Sequence, residues 1–169
     1  MNRRSILSIS AMTMFGLALL PCDAFAQTAK INKSQLVGSW TLAANTGSNP
    51  TARFFGPNDG VATFEPNGRF SLQLVRSDLA KFASNNRDTG TPDENKAIVQ
   101  GSISYFGTYS VNEGDGVLTL HIERCSFPNW NGTDQKRVIS SLTADEMKYT
   151  NPSPSVGGPP SLLVWRRAK

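Results

Sequence analysis

From residue 35 onward, apolar and polar residues alternate in short runs, a period of two that marks strands with one face turned inward. Gln35 to Ala43 (QLVGSWTLA) is the first such run, with Leu36, Gly38, Trp40 and Leu42 on one face. A long Gly- and Pro-containing stretch, Ala44 to Gly60, separates it from the next, and connections of that length suit binding lids or mobile loops. Gly60 to Glu65 and Arg69 to Arg76 flank Pro66-Asn67-Gly68, which fits a type I turn closing with Gly68 in the left-handed region. This connection sets Phe64 opposite Phe70 and Ala62 opposite Leu72, so both strands present their apolar residues to the same side.

Residues 77–101 break the strand rhythm. Ser77 can cap a short turn that brings Leu79 and Phe82 together. In Thr91-Pro92-Asp93-Glu94, a threonine cap, a proline at the first helical position and a capping-box glutamate predict a helix from Pro92 to about Gln100, ended near Gly101. Strands resume at Ser102 to Val111 and Val117 to Cys125, joined through Asn112 to Gly116. The expected pairs are Val111 with Leu118, Tyr109 with Leu120, Gly107 with Ile122 and Tyr105 with Arg124. After the loop Phe127 to Gly132, Gln135 to Leu142 and Glu146 to Asn151 form a further hairpin, and Ser161 to Arg167 is the last strand. Eight antiparallel strands fit a sandwich or a barrel. Short sequential hairpins favour an eight-stranded antiparallel up-and-down barrel, with a short helical insertion around 77–101, and closure removes exposed edges. Such a barrel is filled by side chains or holds one small ligand.

The first 26 residues follow a different pattern. Asn2-Arg3-Arg4 is basic, Ile6 to Leu20 is uncharged and mildly apolar, and Ala24-Phe25-Ala26 is an A-x-A cleavage site, which together read as a secretory signal peptide. The expected organisation is a cleaved signal at 1–26, a tail at 27–34 and a barrel domain at 35–169. The expected address is periplasmic or secreted. Arg3-Arg4 also resembles a twin-arginine signal, so the route stays open, and Pro21 suits a lipoprotein box at Cys22 poorly. The apolar stretch is short for a spanning helix, so the processed chain is not expected to be an integral membrane protein.

Removing the signal changes the arithmetic. Of two cysteines only Cys125 stays, which excludes an internal disulfide and a cysteine-based metal site. The formal charge of +4 becomes +3 once Arg3, Arg4 and Asp23 leave, and it is too weak and dispersed to give a footprint for nucleic acid. Neither a glycine-rich phosphate loop nor a G-x-S-x-G elbow occurs, and no cofactor or metal is expected.

Five blocks in order, LVGSWTL, FEPNGRFSLQLVRSD, GTPDENKAIVQGSISYFGTYSV, FPNWNGTDQKR and LVWRR, make the chain similar to the bacterial lipocalin-like domain family across nearly all of residues 35–167. The resemblance implies an eight-stranded, calycin-type barrel with an internal cavity. It further implies that Trp40 of the Gly38-x-Trp40 motif plugs the closed end beneath an arginine from the chain's far end, Arg166 or Arg167. The chain departs from classical lipocalins in lacking a disulfide and in the segment 77–101.

On these expectations, Phe70, Leu72, Leu74, Leu120 and Ile122 line an apolar interior, with Tyr105, Tyr109 and Arg124 as polar groups orienting a ligand. Arg124 would either reach solvent at the barrel mouth or hold a carboxylate or phosphate. His121 should face outward, and Cys125 should be a small buried apolar group. About 13 Å along one strand separates those two, too far for a Cys–His pair. Trp130 would pack its loop or gate a ligand. The function expected is binding of a small hydrophobic or amphipathic molecule. An isomerase, cyclase or hydrolase using the same cavity, and a cavity-free structural or stress protein, are the alternatives; no residue is assigned a catalytic role.

Overall fold

A computed structural model describes residues 31–47 and 55–169. The expected signal peptide, residues 27–30 of the expected tail, and residues 48–54 of the long connection, with Arg53-Phe54, lie outside the described residues. No helix among the described residues is long and apolar enough to cross a membrane.

The chain enters through a helical turn, α1 (Lys33–Leu36), where a strand is expected. Asn32 explains the difference. Its Oδ1 accepts the Ser34 N–H at 2.9 Å, while Gln35 Oε1 accepts the Asn32 N–H at 3.3 Å, a reciprocal cap that bends the chain before the first strand. Leu36 is thereby buried in the core, together with Ile31 from the expected tail.

Eight strands follow, β1 (Gly38–Gly47), β2 (Gly60–Phe64), β3 (Arg69–Val75), β4 (Ser102–Asn112), β5 (Val117–Cys125), β6 (Asp134–Leu142), β7 (Glu146–Asn151) and β8 (Ser161–Arg167). Each pairs antiparallel with its neighbour in sequence, and β1 pairs with β8 to close the barrel. The β2–β3 register is the expected one, Phe64 opposite Phe70 and Ala62 opposite Leu72, with Gly68 at φ +88°. β1 runs four residues beyond the expected Ala43, because β8 continues to pair with it past a bulge. The expected helix forms as α2 (Pro92–Gly101), and Thr91 and Glu94 cap each other as the sequence requires.

Three bulges set which residues face inward. An extra residue at Ala43 in β1, Glu123 in β5 and Ser140 in β6 shifts the register there. Since side chains alternate along a strand, one extra residue exchanges the inward and outward faces beyond it. In β1 the inward set passes from Trp40 and Leu42 to Asn45. In β5 it passes from Leu118, Leu120 and Ile122 to Cys125. In β6, Arg137 and Ile139 share the interior with Leu142. The β5 bulge depends on Gly107, where an added Cβ would lie 1.9 Å from the His121 carbonyl oxygen, so only glycine lets the bulged backbone approach.

Candidate ligand site

The barrel's two ends are built differently. At the closed end, Trp40, Phe64, Leu118, Leu120, Ile122, Met147 and Trp165 pack with essentially no exposure. The Trp40 indole N–H donates to the Leu36 carbonyl at 2.8 Å, which ties the plug to α1. Arg167 stacks 4.2 Å above the same ring, a cation–π contact, and its guanidinium donates to the carbonyls of Val37 at 2.8 Å, Gln35 at 2.7 Å and Ala144. A Cβ on Gly38, whose φ is +124°, would stand 2.6 Å from Arg167 Nη1. The glycine two residues before the tryptophan is therefore the space the arginine occupies. The arginine over Trp40 is Arg167 and not Arg166, which is exposed, because the β1–β8 register sets Trp40 directly opposite Arg167.

At the other end lies a cavity of about 430 Å³, within the ~300–1,000 Å³ of small-molecule pockets. Apolar walls come from Phe55, Leu74, Ile103, Phe127 and Leu163. The C-terminal half of α2 borders it through Ile98 and Val99, as does the loop at 154–156. Val99 and Val156 are 78% and 71% exposed, so the mouth is itself apolar and wet.

A polar cluster sits in this cavity. Tyr105, Tyr149, Trp130, Asn45 and Arg137 all line it. Trp130 is presented by a short 3-10 turn, Pro128–Trp130, held because the Cys125 N–H donates to Asn131 Oδ1 at 2.7 Å. Its ring meets Tyr105 edge-on at 5.6 Å and Phe127 at 6.1 Å, so it both packs its loop and forms cavity wall. Arg137 is 1% exposed. Its guanidinium lies 5.8 Å from the Trp130 ring centre and donates to the Lys136 carbonyl at 2.7 Å. Among the described residues no carboxylate pairs with it. Burial pushes the Tyr105 and Tyr149 phenols up, against the opposing influence of the Arg137 charge, so both are neutral hydroxyls at ordinary pH. The buried Asn45 Oδ1 has no hydrogen-bond partner within the protein.

The lipocalin-like domain model matches residues 35–168. The chain belongs to this family. A solved redesigned β-barrel is similar at 15% identity and a TM-score of 0.42, covering 80% of this chain and 93% of its own. No curated protein matches the sequence.

Within this lipocalin-like barrel, the residues expected to meet a ligand separate into three groups. Leu74 and Tyr105 line the cavity. Phe70, Leu72, Leu120 and Ile122 face inward but belong to the packed part of the core, and Tyr109 sits at the closed end, its hydroxyl donating to the Glu65 carbonyl at 2.9 Å. Arg124 is exposed on the outside. The β5 bulge sets it opposite Phe106 and puts Cys125, rather than Arg124, opposite Tyr105. His121 faces outward as expected, with its Nδ1 2.8 Å from Asp134 Oδ1 directly across the β5–β6 pair. Cys125 is half-buried against the core.

Arg137, Asn45 and Tyr149 are polar cavity residues absent from the expected set, as are the apolar Phe55, Ile103, Phe127 and Leu163. In β6 a plain period of two groups Val138 with Leu142 and turns Arg137 outward; the Ser140 bulge reverses this. Gly107 in mid-strand carried a signal for the β5 bulge, since an isolated glycine in a strand marks close backbone approach. Ser140 carried none.

Proposed function

We propose that this protein is an exported binding protein that holds one small hydrophobic or amphipathic molecule in the open half of its barrel. The observation that carries the reading is the cavity of about 430 Å³, walled by apolar side chains and opening beneath α2 and the 154–156 loop. Transfer of an apolar body into such a space is favourable, at roughly 25 cal/mol per Å² removed from water. A few polar groups at one side of an apolar pocket would fix the orientation of what enters. Family membership supports a binding role in general. Export rests on the basic, apolar and A-x-A segments preceding Gln27.

Titration with N-phenylnaphthylamine, a reporter that fluoresces in apolar surroundings, tests the reading. Saturable enhancement near one equivalent is the expected result. No enhancement would mean that the open half does not take up apolar molecules and would favour a barrel without a ligand.

A further inference from the structure

Arg137 presents a charge that the fold leaves uncompensated. A guanidinium does not lose its proton under physiological conditions, so burial cannot neutralise it as it would a lysine. Burying a charge without a partner is costly, and buried cations are ordinarily matched by a carboxylate. Here its partners are one backbone carbonyl, one indole face and the hydroxyls of Tyr105 and Tyr149, which are neutral and bring no counter-charge. The acidic groups on β5, β6 and β7 are engaged elsewhere, Glu146 with Lys148. Asp134 is engaged outside the barrel with His121, and Glu123 with Arg69. Residues 48–54 contain no acidic side chain that could supply the charge. Around the guanidinium, Tyr105, Tyr149 and Trp130 offer hydroxyl and indole edges, while Leu74, Ile103 and Leu163 leave the rest of the cavity apolar.

We propose that the ligand is a single-tailed amphipathic anion whose carboxylate or phosphate head pairs with Arg137 inside the barrel, its apolar tail filling the space walled by Leu74, Ile103 and Leu163. This rests on the cavity being a binding site at all, and it adds the polarity and charge of the occupant. The head enters first, because Arg137 lies within the barrel while Val99 and Val156 form the rim. A guanidinium's forked donors match two oxygens of a carboxylate or phosphate, and the low dielectric strengthens the pairing. The orphan Asn45 Oδ1 accepts a hydrogen bond, so it serves a hydroxyl or amide on the ligand or a bridging water, and not the anion itself.

The test is competitive displacement of N-phenylnaphthylamine from the full processed chain by dodecanoate, dodecyl phosphate, dodecanol and dodecyltrimethylammonium, each below its aggregation threshold. Either or both anions should displace the reporter at concentrations about 10-fold or more below those needed for dodecanol, and the cation should compete least. The anion that competes better identifies the head group. Arg137→Met should weaken the preferred anion by about 30-fold or more, while dodecanol binds as well or better. Arg137→Lys, which keeps the charge but loses the fork, should fall between. Unchanged dodecanol binding in Arg137→Met shows that the barrel is intact. If wild type takes up the reporter but does not favour either anion over the alcohol, the proposal is overturned while cavity binding stands. The same holds if Arg137→Met weakens acid and alcohol equally. If wild type takes up no reporter, both fall.

Discussion

The two ends of the barrel each hold an arginine against a tryptophan, and they treat it in opposite ways. Arg167, over Trp40, is satisfied by three backbone carbonyls and remains partly in water. Arg137, beside Trp130, is almost fully buried and finds one carbonyl and two neutral phenols, but no carboxylate among the described residues. The first arrangement is complete within the chain and acts as a lock on the strand closure. The second lacks a counter-charge within the described residues, in the hollow half of the barrel. The contrast separates a structural arginine from a recognition arginine without reference to any relative, by asking where each N–H goes and whether a counter-charge exists.

Removing the plug should give the largest effect. Trp40→Ala deletes a fully buried indole and its bond to Leu36, and is expected to destabilise the protein by about 3–5 kcal/mol in urea unfolding. A loss below about 1 kcal/mol would contradict its place as the centre of the closed end.

The paired substitutions Arg167→Met and Arg137→Met break the comparison most sharply. Arg167→Met forfeits charged hydrogen bonds to three carbonyls and the stack on Trp40, an expected loss of about 2–3 kcal/mol. Arg137→Met exchanges an uncompensated buried cation for an apolar side chain of similar length, so ligand-free protein should be unchanged or more stable, by up to about 1–4 kcal/mol. Equal destabilisation by both, measured on delipidated protein, would erase the distinction between the two ends.

Alkaline pH gives the smallest expected effect. Tyr149 keeps its proton in the folded barrel well above the pH at which an unfolded tyrosine, near pKa 10, releases it. The unfolded state then binds fewer protons than the native state, so stability is fully present below about pH 10 and falls as pH rises beyond it. Tyr149→Phe should flatten that decline by at most about 1.4 kcal/mol per pH unit. Identical slopes in wild type and variant would show that the phenol ionises as freely in the barrel as in water.

Strand number, order and most boundaries were legible because period-two runs and turn residues are local signals. β5, β7 and β8 begin and end where the pattern places them, and so does the capping of α2. The inward positions at the closed end were legible for the same reason, since Gly38 and Trp40 precede the β1 bulge and Phe64 meets Phe70 across a short turn. The stack of an arginine on Trp40 came from the family resemblance, and α1 was not foreseen. The open end was not. Reading inward positions past a bulge with an unbroken period of two exchanges the faces, which placed Arg124 inside and overlooked Arg137. Leu74 and Tyr105 were found because no bulge lies between them and the turn that sets the β2–β3 register, nor within β3 or β4 themselves. Bulges are set by backbone approach between neighbouring strands, as at Gly107 against His121, and such contacts become visible only once the strands are paired.

The central claim is that the arginine at the closed end is satisfied by the chain and the arginine at the open end by a ligand. Native mass spectrometry of the protein isolated from its own host tests this most directly. The account predicts a complex carrying one small acidic molecule, lost from Arg137→Met but retained by Arg124→Met. Wild-type protein that is bare under the same gentle conditions, and that also takes up no apolar reporter, would contradict it.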